Sequence, residues 1–582
     1  MSSQHKKNTF YGAAALLAVT TVLVKIIGAI YKIPLMAILS DEAYGDFSGA
    51  YNIYTFFLTI STAGLPIALS KTVSECSTLG RENQKERVFR VGFSAFLFMG
   101  VLSFLCMSLG GQLVATHVIE NPKAVYSVLA LAPSVLCACC CSAFRGYAQG
   151  HMNMVPTGVS QVIEALSKML LGLALAMLIL HSAIEPEELR DRLSAAGALA
   201  GVSIGSILSV VYLAWNHMRT RHRRRTRSAD RPDSDGEILS HLLKLAIPIT
   251  LSSCTLSIVN LIDTKLVNGQ LQTVFAAIEG GLTGIGNSVL DIFSKAELLF
   301  QGNVADLAAH PDSGIQPVLD SARALYGTYQ KTMSIYNLPF SLMVPLTACI
   351  VPAVSACIAR RDRLGAQRTT ESAMRISALI ALPCGIGLFS LGGPIIYLLS
   401  LGNVDAQIAG PLLSILGLAS IFVCIQVVAS SILQANGIVN LPIITMAIGG
   451  AAKIFMSYAL VGNPKVMIFG APTGTLACFA IVSVLNLAII KRMIPRPPRY
   501  SVVFAKPLIA SVIMGGAAWA CHGLLSKFLH GSFLMDAVAT AGAILAAVVV
   551  YAVLVVVLQV LSKEYLELMP KGDKIAKFLH IQ

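Results

Sequence analysis

Apolar stretches of about 20 residues, each long enough to cross a hydrocarbon core, follow one another along this chain with short polar connections between them. Fourteen are readable, over residues 10–30, 51–69, 89–109, 125–144, 155–180, 195–215, 238–262, 336–358, 374–399, 412–433, 442–460, 470–490, 504–525 and 535–560. A chain patterned this way has few folds open to it. In lipid every backbone N–H and C=O must find its partner inside the protein, which a helix achieves within one segment. Composition agrees: 55% of the 582 residues are hydrophobic and 13% charged, at a mean hydropathy of +0.72, against about one quarter charged in a soluble domain. The expected fold is therefore an all-α polytopic membrane protein with about 14 transmembrane helices. The first stretch follows Lys6 and Lys7 but is too long for a signal-peptide core and lacks a small-x-small cleavage site, so it is read as a retained span.

The net charge of +13 does not point to nucleic acid, because the basic residues lie in short loops between apolar runs, where they orient helices. Walking the spans in order puts Lys71, Arg81, Lys85, Arg87, Arg145, the run at 219–231, Arg360, Arg361, Arg363, Arg368, Lys491, Arg492, Arg496 and Arg499 on one side. That side also takes both termini and most of the 43 basic residues. The positive-inside rule makes it cytoplasmic, which requires an even number of spans in the cell membrane.

Cysteines add no framework. None of the 13 falls in an outward loop, so no disulfide is expected. Cys137, Cys139, Cys140 and Cys141 crowd one apolar span without metal-ligand spacing or polar support, which reads as small-residue helix packing. No metal or cofactor is expected. An Asp-x-Asp at Asp233-Ser234-Asp235 has no accompanying domain to hold a nucleotide and is read as solvated linker. The one long connection, 263–329, is expected on the outer side as a cap. Its apolar part at 278–300 suits an amphipathic surface helix, since Asp291, Lys295 and Glu297 argue against a span.

The chain also repeats itself. Gln149-Gly150-His151-Met152-Asn153-Met154-Val155-Pro156 resembles Gln434-Ala435-Asn436-Gly437-Ile438-Val439-Asn440-Leu441-Pro442. In each copy an apolar helix follows the proline and carries a lysine 19 residues after the glutamine, Lys168 or Lys453. The copies are six spans apart and so share one orientation, which implies two parallel-repeat six-helix lobes plus two C-terminal helices. The expected division is an N-lobe at 1–218, a basic cytoplasmic linker at 219–237, a C-lobe at 238–492 containing the outer loop 263–329, and two extra helices with a cytoplasmic tail at 493–582. A substrate site is expected in a cavity between the lobes.

Ionisable groups at bilayer depth are costly and mark function. Lys25 and Lys453 have no local acidic partner and are read as cavity-lining. Lys32 lies near the outer end of the first span and either snorkels or joins them. Glu164 and Lys168 are one turn apart and either neutralise each other or line the cavity. Asp263 suits either a helix end or ion coupling, and Arg145 either orientation or binding. Together they form a positively biased set suited to an anionic headgroup such as a diphosphate.

At these residues the chain resembles the multidrug, oligosaccharidyl-lipid and polysaccharide exporter superfamily, within it the polysaccharide-flippase branch of stage V sporulation protein B and MurJ-type lipid II flippases. The carriers are Lys25-Ile26-Ile27-Gly28, Gly64-Leu65-Pro66-Ile67-Ala68-Leu69-Ser70-Lys71, Phe144-Arg145-Gly146-Tyr147-Ala148-Gln149-Gly150 and Pro156-Thr157-Gly158-Val159-Ser160-Gln161. The resemblance implies two lobes in a V, a solvated cavity, and export of undecaprenyl-diphosphate-linked glycans for the cell wall, including sporulation, without enzymatic activity. It also implies that Lys25 matches a cavity base of the first helix, where MurJ-type proteins commonly carry arginine. Lysine there brings charge without the bidentate fork. A second basic position falls near Tyr31 and Lys32. The alternative is a multidrug or cation antiporter, for which a cavity dominated by carboxylates and aromatics is expected. A coupling ion or the membrane potential is the expected energy source.

Overall fold

The computed structural model describes residues 20–21, 23–119, 121–151, 153–223, 230–279, 315–359, 361–438, 440–463, 466–529 and 532–558. These are helices joined by short turns, and 11 of the helices are long and apolar enough to cross a membrane. Three more described helices, over 23–38, Asp235–Glu279 and Ile315–Ala359, overlap the three remaining expected spans. The chain is an all-helical, multi-pass membrane protein. The stretch from 280 to 314, including most of the expected amphipathic helix, lies outside the described residues, as do Arg360 and the linker arginines of 224–229.

Two compact units are present, Met1–Gly269 and Gln270–Gln582. The first contains α1 (23–38), α2 (Asp41–Thr62), α3 (Leu65–Thr78), α4 (Glu82–Leu109), α5 (Gly111–His117), α6 (Val125–Gly150), α7 (Val155–Leu180), α8 (Glu187–Arg223) and α9 (Asp235–Glu279) as far as Gly269. Helices α6 and α8 are its centre: α2, α3 and α4 pack on α6, and α7 lies along α8. That last contact depends on small residues. A Cβ at Gly201 would stand 2.3 Å from the Cα of Gly172, so neither position has room for a side chain, and the two backbones touch as small-residue motifs allow in lipid. Gly64, in the break between α2 and α3, is equally constrained: a Cβ there would sit 2.1 Å from the carbonyl oxygen of Ala246 on α9. Cys139 packs against Gly100 of α4.

Each end of this unit carries a polar lock. At the N-terminal ends of α2 and α8, the side chain of Arg192, 3% exposed, donates to Asp46 at 2.7 Å, Glu42 at 3.1 Å and Glu188 at 2.9 Å. Asn121 donates to the other oxygen of Asp46 at 2.6 Å, and Lys123 binds Glu188. Ser40 caps α2 through the amide of Ala43. At the opposite end the linker docks on the start of α4. The Asp230 carboxylate accepts the backbone amides of Asn83 and Gln84 at 3.1 and 2.9 Å, using the positive end of a helix. Gln84 exchanges two hydrogen bonds with Asp233, and Arg87 pairs with Asp235 at 2.6 Å. Asp233 and Asp235 are exposed to solvent and Asp230 is half-buried, and each is bonded to α4. The Ser234 amide then donates to the Glu237 carboxylate and the Glu237 amide to the Ser234 hydroxyl, a reciprocal capping box that starts α9.

The second unit contains α10 (Ile315–Ala359), α11 (Arg363–Ser390), α12 (Gly392–Leu399), α13 (Ala406–Ala435), α14 (Asn440–Val461), α15 (Gly470–Met493), α16 (Tyr500–Phe528) and α17 (Phe533–Val557). Helix α13 is its axle, packing on α10, α11, α12 and α15, with a core that includes Val428, Ile432, Leu433, Ile350, Met374 and Ile490. A buried polar chain crosses it, in which Thr445 donates to Asn486 at 2.7 Å and Asn486 donates to Ser430 at 3.1 Å. Asp362 and Asp405 cap α11 and α13. The pair α16–α17 attaches through α11 and α12, where the Tyr551 hydroxyl donates to the carbonyl of Leu379 at 2.9 Å.

The helices outrun several expected spans. Helix α9 continues to Glu279 and α10 begins at Ile315, so both ends of the segment read as a loop at 263–329 are helical. Asp263, Lys265, Arg323 and Lys331 lower the local hydropathy without disfavouring a helix, and a hydropathy window ends a span there. The first helix likewise runs to residue 38 through Pro34.

Removing one partner of a buried ion pair strands the other, at about 3–5 kcal/mol. Arg192→Ala is expected to lower the unfolding temperature of the purified chain in detergent clearly, and Arg192→Met with Asp46→Leu to recover part of the loss. Native-like unfolding of Arg192→Ala would show that the network contributes nothing.

Candidate functional site

The α6–α7 hairpin positions the first half of the site. Helix α6 ends at Gly150 and Pro156 opens α7, a position that suits proline because its missing N–H is unneeded in a first turn. The return brings Arg145 of α6 beside α7. Its Nε donates to the Ser160 hydroxyl and its Nη2 to the Glu164 carboxylate, each at 2.9 Å. Both charged side chains are half-buried, so the pair is screened less than a surface one.

Because Glu164 is engaged by Arg145, it is not the partner of Lys168, one turn further along α7: no ion pair joins the two among the described residues. The Lys168 ammonium instead lies over two aromatic faces, 4.9 Å from the ring centre of Tyr31 on α1 and 4.6 Å from that of Tyr51 on α2. Contacts of this kind contribute about 0.5–2 kcal/mol. Tyr31 is buried and anchored, its hydroxyl donating to the carbonyl of Ala198 on α8 at 3.3 Å. Lys32 follows it in the chain, half-buried, and the charges of both Lys168 and Lys25 bear on it. Lys25 is exposed, two turns earlier on α1. The structure thus holds Lys25, Lys32, Lys168, Arg145 and Glu164 in one unit, with one ion pair on the α6–α7 hairpin and three lysines on α1 and α7. Such a set favours an anion with several oxygens.

Two expected residues lie elsewhere. Asp263 is buried within α9, well inside a helix rather than at its end. Lys453, 3% exposed, belongs to the second unit. It stands in the fourth turn of α14, as Lys168 does in α7, and both helices follow a short turn after a long helix. In the copy before α14 that turn contains Gly437 at φ +80°, the left-handed conformation glycine takes readily.

Sequence reasoning missed Tyr31 and Tyr51, since an aromatic residue in an apolar span carries no sign that a cation lies above it. It also missed Lys331, 1% exposed, and Arg323, both buried on α10. A helical projection continued N-terminal to the span edge at 336 would have included them.

With this geometry in view, comparison with known proteins is informative. The polysaccharide biosynthesis protein family matches residues 11–287 and the lipid II flippase MurJ family residues 322–539. Stage V sporulation protein B of Bacillus subtilis (strain 168) is 24% identical over 574 residues, 97% of this chain and 98% of its own length. Lipid II flippase MurJ of the same organism is 24% identical over 557 residues, 91% of this chain and 90% of its own. In fold the chain is similar to a lipid II flippase MurJ in an inward closed conformation, at a TM-score of 0.62 and 16% identity, covering 93% of this chain and 99% of that one. The chain is a membrane transporter, not an enzyme, and belongs to the multidrug, oligosaccharidyl-lipid and polysaccharide exporter superfamily.

Proposed function

We propose that this transporter is a flippase that carries an undecaprenyl-diphosphate-linked cell-envelope precursor, lipid II or a related oligosaccharide unit, from the inner to the outer leaflet by alternating access. The observation that carries this reading is the Lys168 ammonium, set in an apolar helix over the Tyr31 and Tyr51 rings while Arg145 takes the nearby Glu164 carboxylate, with Lys25 and Lys32 on α1, the helix of Tyr31. A diphosphate offers several charged oxygens to an ammonium placed this way, while the polyprenyl tail remains in lipid. Lys453, in the matching turn of α14, is the proposed second-unit counterpart. Similarity to flippases along almost the whole chain supports the same substrate class. The sign of these lysines speaks against a cationic drug as cargo.

In cells depleted of their own lipid II flippase, expression of this chain is expected to restore outer-leaflet accessibility of lipid II. Lys168→Ala and Lys25→Ala, at equal membrane levels, are each expected to reduce it at least several-fold. Failure of the native chain to restore it would exclude lipid II and direct the assay to other polyprenyl-linked glycans.

The reading also requires both termini to be cytoplasmic. Reporter insertions at Ser182 and Asn403 are then expected to report the outer side, and one at Thr226 the cytoplasm. The reverse pattern would invert the direction of transport.

A further inference from the structure

Glu164 and Lys168 are four residues apart on α7, glutamate first, the spacing and order at which a helix most favours an ion pair. In lipid, with little water to compete, that pairing should be stronger still. It does not form. Arg145 holds the carboxylate from one side, and the Tyr31 and Tyr51 rings hold the ammonium from the other. Both rings come from helices other than α7. Tyr31 is fixed by its hydrogen bond to Ala198, and Tyr51, half-buried midway along α2, by ring contacts with Phe47 and Tyr54 at centroid distances of 6.1 and 5.6 Å.

From this we infer that Tyr31 and Tyr51 are positioning residues of the anion site: they hold the Lys168 ammonium directed away from Glu164, so that its N–H groups stay available to the phosphate oxygens of a lipid headgroup. The inference rests on the proposed function, since it assumes that Lys168 meets an anionic headgroup. Ring faces suit the task because they attract a cation without taking up its hydrogen-bond donors as a carboxylate does. An ammonium lying over two rings still has N–H bonds to give to an incoming diphosphate, and no ion pair need be broken first. Without the rings, Lys168 is expected to fold back one turn onto Glu164, its N–H groups taken up by the carboxylate and no longer directed to the ligand.

The test uses the full-length chain in phosphatidylcholine nanodiscs with undecaprenyl diphosphate as the probe. Tyr51→Leu is expected to weaken binding about threefold to thirtyfold, and Tyr51→Phe, which keeps the ring face, to bind as the native chain does. Adding Glu164→Gln to Tyr51→Leu is expected to recover more affinity than Glu164→Gln changes on its own, because only in the absence of the ring does the carboxylate capture Lys168. Unfolding temperatures of all variants, measured alongside, separate this effect from misfolding, and loss of binding in Tyr51→Phe would assign the role to the hydroxyl and overturn the inference. If Lys168→Ala weakens binding but Tyr51→Leu does not, the rings are not positioning groups while the proposed function stands. If Lys168→Ala binds as the native chain, both fail together.

Discussion

A charged group set among apolar helices must be met by an opposite charge, a ring face or water, since lipid offers nothing. The first unit answers this demand in three different ways. Arg192 is enclosed by Asp46, Glu42 and Glu188, an arrangement that ties the starts of α2 and α8 together and surrounds the cation with three carboxylates. Arg145 and Glu164 form a simpler pair. Among the described residues Lys168 forms no ion pair and lies over the faces of Tyr31 and Tyr51, with Lys32 next to Tyr31 in the chain. The progression from closed network to open cluster separates groups that hold the helices from groups able to hold a substrate.

The cluster depends on how closely the helices approach. Gly172 and Gly201 seat α7 on α8, and the carbonyl of Ala198 in that same stretch of α8 anchors Tyr31. Packing and chemistry are therefore coupled. A side chain at Gly201 would push α7 outward and carry Lys168 and Glu164 with it. At the linker end, Asp230, Asp233 and Asp235 turn an acidic segment that looks like plain solvated chain into a fastening for α4, through backbone amides, Gln84 and Arg87. Each bond is modest in an exposed place, but together they tie the start of α9 to the start of α4.

Much of this architecture was legible in the sequence. Hydropathy located the helices, because the bilayer imposes a length on every span and forbids unpaired backbone. It misplaced ends where charged residues lie inside helices, as at Asp263, Lys265, Arg323 and Lys331. The candidate site was legible as a list of ionisable residues out of place in apolar segments, of which all but Lys453 fall within Met1–Gly269. Their pairing was not legible. Spacing along α7 alone suggests Glu164 with Lys168, whereas Arg145, 19 residues before Glu164, reaches the carboxylate across the hairpin.

The sequence by itself determined that this chain crosses a membrane many times, which superfamily it resembles and which charges stand in the bilayer, because these follow from local composition and from periodicity that any single segment displays. Only the tertiary structure decided which of those charges are neutralised and which stay available. The energy of a buried charge depends on groups a few ångströms away in space, and here those groups come from α1, α2 and α6, whose approach to α7 no single segment encodes.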